Sequence, residues 1–235
     1  MLTPPTRDRA WAMIRRYGVD EIIFRYARLP WPGPAPERFA GRGVVFFEHV
    51  LPARRISAGL ALTAAFLDYA ARRLPNLREW RRLFDKLLVL PAVNAVRRSL
   101  KISNEESDEI KGALFGLGLL LREEPPTVAE MKRFLARPTA PLSRALLDAF
   151  PEATFPLFDR EPLRQQLAEL EKTDFAPPPL VTGDDLTAAG YSPGPMFKRV
   201  LDGVYDAQLE DRVRTKDEAM EMAGRMFAEG GTGRA

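Results

Sequence analysis

Four times the sequence places a serine or threonine three residues ahead of an acid at the head of an apolar stretch: Ser103 and Glu106, Thr127 and Glu130, Thr182 and Asp185, Thr215 and Glu218. At this spacing each side chain reaches a backbone N–H that the first helical turn leaves without a partner. No stretch alternates apolar and polar residues convincingly with a period of two. The chain is therefore constrained to a succession of helices. The expected fold class is all-α, a multi-helix body followed by a small helical C-terminal module.

Periodicity and punctuation supply the other elements. Trp11, Ile14, Ile22, Ile23 and Tyr26 recur at helical spacing on one first basic helix, with Gly18 as its weak point. The Pro- and Gly-rich stretch 31–43 breaks regular structure. In the apolar piece after it, Val44 to Phe47 reads equally as a strand or as the start of a buried helix. Residues 57–74, rich in Ala and Leu, predict a buried helix; 76–90 continue helically until Pro91, which removes a backbone donor and kinks or restarts the helix. Further helices are expected from Ser103 to about Leu121, after Thr127, over 141–150 and over 162–173. Three prolines at 177–179 end that run. A short helix, a Ser-Pro-Gly-Pro turn at 192–195, a helix to about Val213 and a last helix follow. The proline-rich joint near 174–180 divides a body, 1–174, from a tail, 180–229, by a semi-rigid link.

The 235 residues contain no cysteine, which excludes disulfides and thiolate metal sites and suits a reducing compartment. The first residues lack the apolar core of a secretory signal. The most apolar run, 113–121, falls far short of the roughly 20 residues that span a bilayer. The expected setting is the cytoplasm, away from membranes. Charge is uneven. Residues 1–100 hold 18 Lys/Arg and 8 Asp/Glu, whereas the rest hold 17 and 24. A basic half joined to an acidic half suggests an anionic partner at the basic end; an arginine-rich composition, 28 Arg against 7 Lys, is the plainer explanation.

The segment 180–219 carries the densest pattern. Thr182 is placed to cap a helix whose first turn holds Asp184 and Asp185, both favoured by the helix dipole. Gly190 falls where a helix would end in positive φ. Pro193 and Pro195 preset the backbone around Gly194 at the entrance to the next helix. A glycine turn feeding a helix start exposes N–H groups that suit a phosphate, and Lys198 and Arg199 stand close behind. Gly194, Lys198 and Arg199 are candidate phosphate-binding residues; the resemblance given next adds Arg214 and implies that the phosphates are those of an RNA. The plainer alternative is a helix-turn-helix with a proline stop.

Thr182-Gly183-Asp184-Asp185-Leu186, Gly190, Pro193-Gly194-Pro195, Leu201, Gln208-Leu209 and Arg214-Thr215, in this order, resemble the C-terminal region of the class II tRNA nucleotidyltransferases and bacterial poly(A) polymerases. Asp211 departs from that pattern, which commonly has a glycine near this position. Leu100 to Glu106 resembles a helix start of the family's body domain, and Met131 to Leu135 with Pro138 another of its helices, so that the likeness spans 45–225. The resemblance implies a helical body and tail that bind RNA, in the tRNA enzymes its acceptor and T arms. It also implies a catalytic head with a Gly-Ser turn and an Asp-x-Asp pair holding two metal ions; neither motif is present in this chain. Within a degenerate HD-like region near 45–120, Leu67-Asp68 stands where some members carry His-Asp, and the lone His49 is read as a core histidine. Asp206 and Glu210, one helical turn apart, read as a solvated acidic face rather than a metal pair. No catalytic residue, metal or cofactor is expected. The implied function is RNA binding by a catalytically silent module of tRNA-processing lineage. Its alternatives are the non-catalytic subunit of a split enzyme, whose nucleotidyltransferase head is a separate chain, and a protein-interaction scaffold.

Overall fold

The computed structural model describes residues 7–26, 57–71, 81, 83–149 and 159–229. Among these residues the chain is all-helical, with eleven helices and no strand. They are α1 (Arg7–Arg16), α2 (Val19–Tyr26), α3 (Ala58–Ala71), α4 (Lys86–Leu100), α5 (Asn104–Leu120), α6 (Val128–Leu135), α7 (Ala140–Ala149), α8 (Glu161–Leu170), α9 (Gly183–Ala188), α10 (Pro195–Leu209) and α11 (Lys216–Glu229). None of them is long and apolar enough to cross a membrane. The strand-or-helix reading of 44–47, the place of His49 and the helical reading of 76–80 lie outside the described residues.

The chain forms two compact units: Met1–Pro125 with Arg137–Glu161, and Pro126–Ala136 with Pro162–Ala235. In the first, α5 is the central element. The Glu106 N–H donates to Ser103 Oγ at 3.1 Å and the Ser103 N–H to Glu106 Oε2 at 2.8 Å, so the expected capping box opens the helix. Ile110, Ala113, Leu114, Leu117 and Leu120 of α5 are buried, and α3, α4 and α7 pack against it. Each fully buried leucine contributes about 2 kcal/mol through the apolar surface it removes from water. A polar tie adds specificity, because Ser143 Oγ on α7 donates to the Ala113 carbonyl at 3.0 Å.

Two expectations change in this unit. The single first helix is two, because Gly18 adopts φ 66° and its N–H folds back to the Arg15 carbonyl. The break redirects the apolar stripe: Trp11 is 3% exposed but Ile22 62%. Pro91 neither starts nor ends α4, which runs through it from Lys86 to Leu100. The proline lies on the exposed side, where water can serve the carbonyl that loses its donor. The Leu67-Asp68 pair belongs to the core of α3. Leu67 is fully buried, and Asp68 Oδ2 accepts from Trp11 Nε1 at 2.8 Å, tying α1 to α3.

The second unit is built around α10 and α11, with Val181, Leu186, Val200, Val204, Ala207, Ala219, Ala223 and Phe227 in its core. Three capping boxes shape it, opened by Thr127, Thr182 and Thr215. α10 ends at Leu209, before the expected Val213, because the chain turns left-handed at Asp211. α6 is fastened to α10 through Arg133. Its Nε donates to Asp206 Oδ1 at 2.6 Å, Nη2 donates to the Asp202 carbonyl at 3.0 Å, and the guanidinium lies 4.8 Å from the Tyr205 ring centroid. Asp206 is therefore an ion-pair partner, not part of an open acidic face, and Glu210 meets Arg212 at 2.8 Å.

Candidate functional site

Most of the 180–219 pattern has a folding role. Thr182 and Asp185 form their capping box, and Leu186 is fully buried. Gly190 holds φ 87°, its N–H donating to the Thr187 carbonyl and that of Tyr191 to the Leu186 carbonyl. These two bonds close the helix end in the pattern that favours glycine. Gln208 Nε2 donates to the Pro178 carbonyl at 2.9 Å, while its Oε1 accepts from the Leu180 N–H at 2.9 Å. Tyr205 Oη adds a bond to the Pro177 carbonyl at 3.0 Å. The proline joint is thus strapped onto α10 by side chains 28 to 30 residues away. Sequence reasoning missed these straps, since nothing local signals the partner of a glutamine.

What the fold leaves over is the start of α10. Gly194 is its N-cap, in extended backbone and without a side-chain cap. Of the four N–H groups that a helix start leaves over, Pro195 has none and that of Phe197 returns to the Gly194 carbonyl at 3.0 Å. Those of Gly194 and Met196 have no partner among the described residues. The free donors are two, fewer than a helix opened by a non-proline residue would offer. A Cβ built on Gly194 meets nothing within 4 Å, so the approach is open. Beside it lies an open cleft of ≈ 510 Å³ lined by Tyr191, Ser192, Pro193, Met196 and Phe227. One wall is aromatic: the Tyr191 and Phe227 rings stack at 4.2 Å, with Phe197 edge-on to Phe227 at 5.8 Å.

Lys198 and Arg199 are exposed, and neither has an ion-pair partner among the described residues. Lys198 closes the first turn of α10 and Arg199 opens the second, where Cα–Cβ bonds tilt toward the helix N-terminus. Arg214 is elsewhere. It follows the other end of α10, whose 15 residues measure about 22 Å. Its own N–H donates to Glu218 Oε2 at 2.8 Å. That end is acidic. Lys216 holds Asp185 at 2.5 Å, and this bond, with those from Thr182, draws the Asp185 carboxyl down to about 2. The N–H groups of Arg214 and Thr215 lower Glu218 as well. Carboxylates already occupy the helix starts there, so Arg214 has no share in an anion site with Gly194. Of the four sequence candidates, Gly194, Lys198 and Arg199 lie at the start of α10 and Arg214 lies beyond its other end.

No group of three or more Asp, Glu or His side chains among the described residues is arranged to hold a metal ion. Comparison of the chain with family models, with curated proteins and with solved structures finds no match.

Proposed function

We propose that the chain is a catalytically silent RNA-binding module of the cytoplasm, similar to the body and tail of the class II tRNA nucleotidyltransferases and poly(A) polymerases. It holds a tRNA-like helix by the phosphates. The observation that carries this reading is the start of α10, left open by the fold with two free N–H groups and two unpaired cations behind it. The dipole of α10 and the charges of Lys198 and Arg199 act in the same direction, and both favour an anion at Gly194. A-form RNA is recognised largely through shape and backbone, so such a site needs no base-reading side chains. The split-enzyme reading differs only in adding a nucleotidyltransferase head as a partner chain; what favours it is the tail-like pattern in a sequence with no Asp-x-Asp pair.

Gly194→Asp tests the site through two readouts of opposite sign. The carboxylate caps α10, raising stability by a few tenths of a kcal/mol or more. It also occupies the phosphate position, and affinity for a tRNA-like hairpin in filter binding should fall at least about tenfold, as expected when a charge-assisted contact is lost. Unchanged affinity in this variant, or a wild-type chain that binds no RNA, would overturn the proposal.

A further inference from the structure

α4 carries a one-signed exposed face. Lys86, Leu90, Asn94, Arg97, Arg98 and Lys101 are all exposed, at the spacing of one stripe along the helix and its end. The helix contains Lys86, Arg97 and Arg98 and no acid. None of these cations, nor Lys101, has an ion-pair partner among the described residues. Along the chain the acids nearest Lys101 are Glu105 and Glu106, and Glu106 is committed to the Ser103 N–H. Arg81, by contrast, is spent internally on the Leu121 carbonyl at 2.8 Å and on Glu123. Lys101 holds φ 52°, a left-handed conformation that glycine would adopt at less cost. A cation kept there at the expense of backbone strain points to use.

Resting on the RNA-binding reading above, we infer that this face of α4 is a second contact surface, one that receives the phosphate backbone of an RNA duplex. The stripe measures about 22 Å, long enough for several phosphates. Its chemistry selects among polyanions. Insertion into a lipid surface needs a free apolar face, and that of α4 is spent on the core through Val89, Ala92, Val93 and Val96. A protein partner would look for buried aromatic anchors, and the stripe has none; its one apolar member, Leu90, is 39% exposed. Cations without acids or anchors match a phosphate backbone.

Filter binding of a tRNA-like hairpin to the full chain across a salt series reads the number of phosphates held. Arg97→Ala with Arg98→Ala is expected to flatten the slope of log K against log salt by about 1.5 to 2. Lys101→Gly should flatten it by nearly one more while raising the melting temperature by a few degrees, since the strain is relieved. A double variant with the wild-type slope overturns the inference and leaves the Gly194 site standing. A wild-type chain that binds no RNA sinks both. Vesicles containing phosphatidylserine provide the remaining arm: loss of vesicle binding in the double variant with the RNA slope intact would make this a membrane-facing surface and overturn the inference.

Discussion

Asp211 is the residue at which the chain departs from the pattern it resembles, and the departure has a physical cost. It sits just past the end of α10 with φ 58°. Its N–H donates to the Gln208 carbonyl at 3.1 Å and that of Arg212 to the Ala207 carbonyl at 2.9 Å, the same helix-ending pair of bonds that Gly190 makes after α9. A glycine would occupy this conformation without the clash of a Cβ, and would remove a negative charge from the carbonyl end of a helix. Both terms have the same sign. Asp211→Gly should therefore stabilise the protein by about 0.5–1 kcal/mol, offset in part by the greater freedom of glycine in the unfolded chain. Chemical denaturation that shows a lower midpoint for the variant would contradict this. The turn itself was not legible from the residues, whose pattern carried the helix on to about Val213; only the resemblance marked the position.

At the scale of the element, local signals were legible and long-range ones were not. The boxes at Ser103, Thr127, Thr182 and Thr215 could be read because each is closed within a single turn by residues three apart. Gly18 was visible as a weakness, but whether a helix bends or breaks there depends on packing. Arg133 and Gln208 looked like ordinary polar positions on helices, since the groups they bind lie 69 to 73 and 28 to 30 residues away. The candidate site shows the same limit: Gly194, Lys198 and Arg199 share one helix start, whereas Arg214, which came with the resemblance, follows the other end of the helix. The cap of α9 also gives a pH-dependent outcome. Asp185 has its carboxyl lowered to about 2 by Lys216 and Thr182. A carboxyl lowered in the folded state contributes stability that is present above about pH 4 and is lost as pH falls toward 2. Carbon-detected NMR should show the Asp185 carboxyl titrating near 2. In Lys216→Met it should move back toward the usual carboxylate range, and a midpoint that stays put would show that the lysine is not its main cause.

At the scale of the molecule, the decisive feature is that the second compact unit is not one stretch of chain. It takes in 126–136, and with them α6, in addition to the residues from Pro162 onward. The tail pattern that stands out in the sequence is therefore only part of what folds around α10. Ala129, Met131 and Phe134 of α6 are buried, and Arg133 supplies the directional contacts to α10. Its side chain is 32% exposed, so a single ion pair there is worth well under the buried value. Together, the pair with Asp206, the bond to the Asp202 carbonyl and the ring of Tyr205 reach about 1–2 kcal/mol. Arg133→Met retains much of the apolar stem and removes all three contacts, leaving Asp206 without its cation. Hydrogen exchange should then speed up about tenfold in peptides covering 126–136 and 195–209, while peptides from α5 keep the wild-type rate. Equal acceleration in α5 would mean that the substitution destabilises the whole chain. No change in either helix would mean that burial of Met131 and Phe134 holds α6 in place and that the arginine is dispensable.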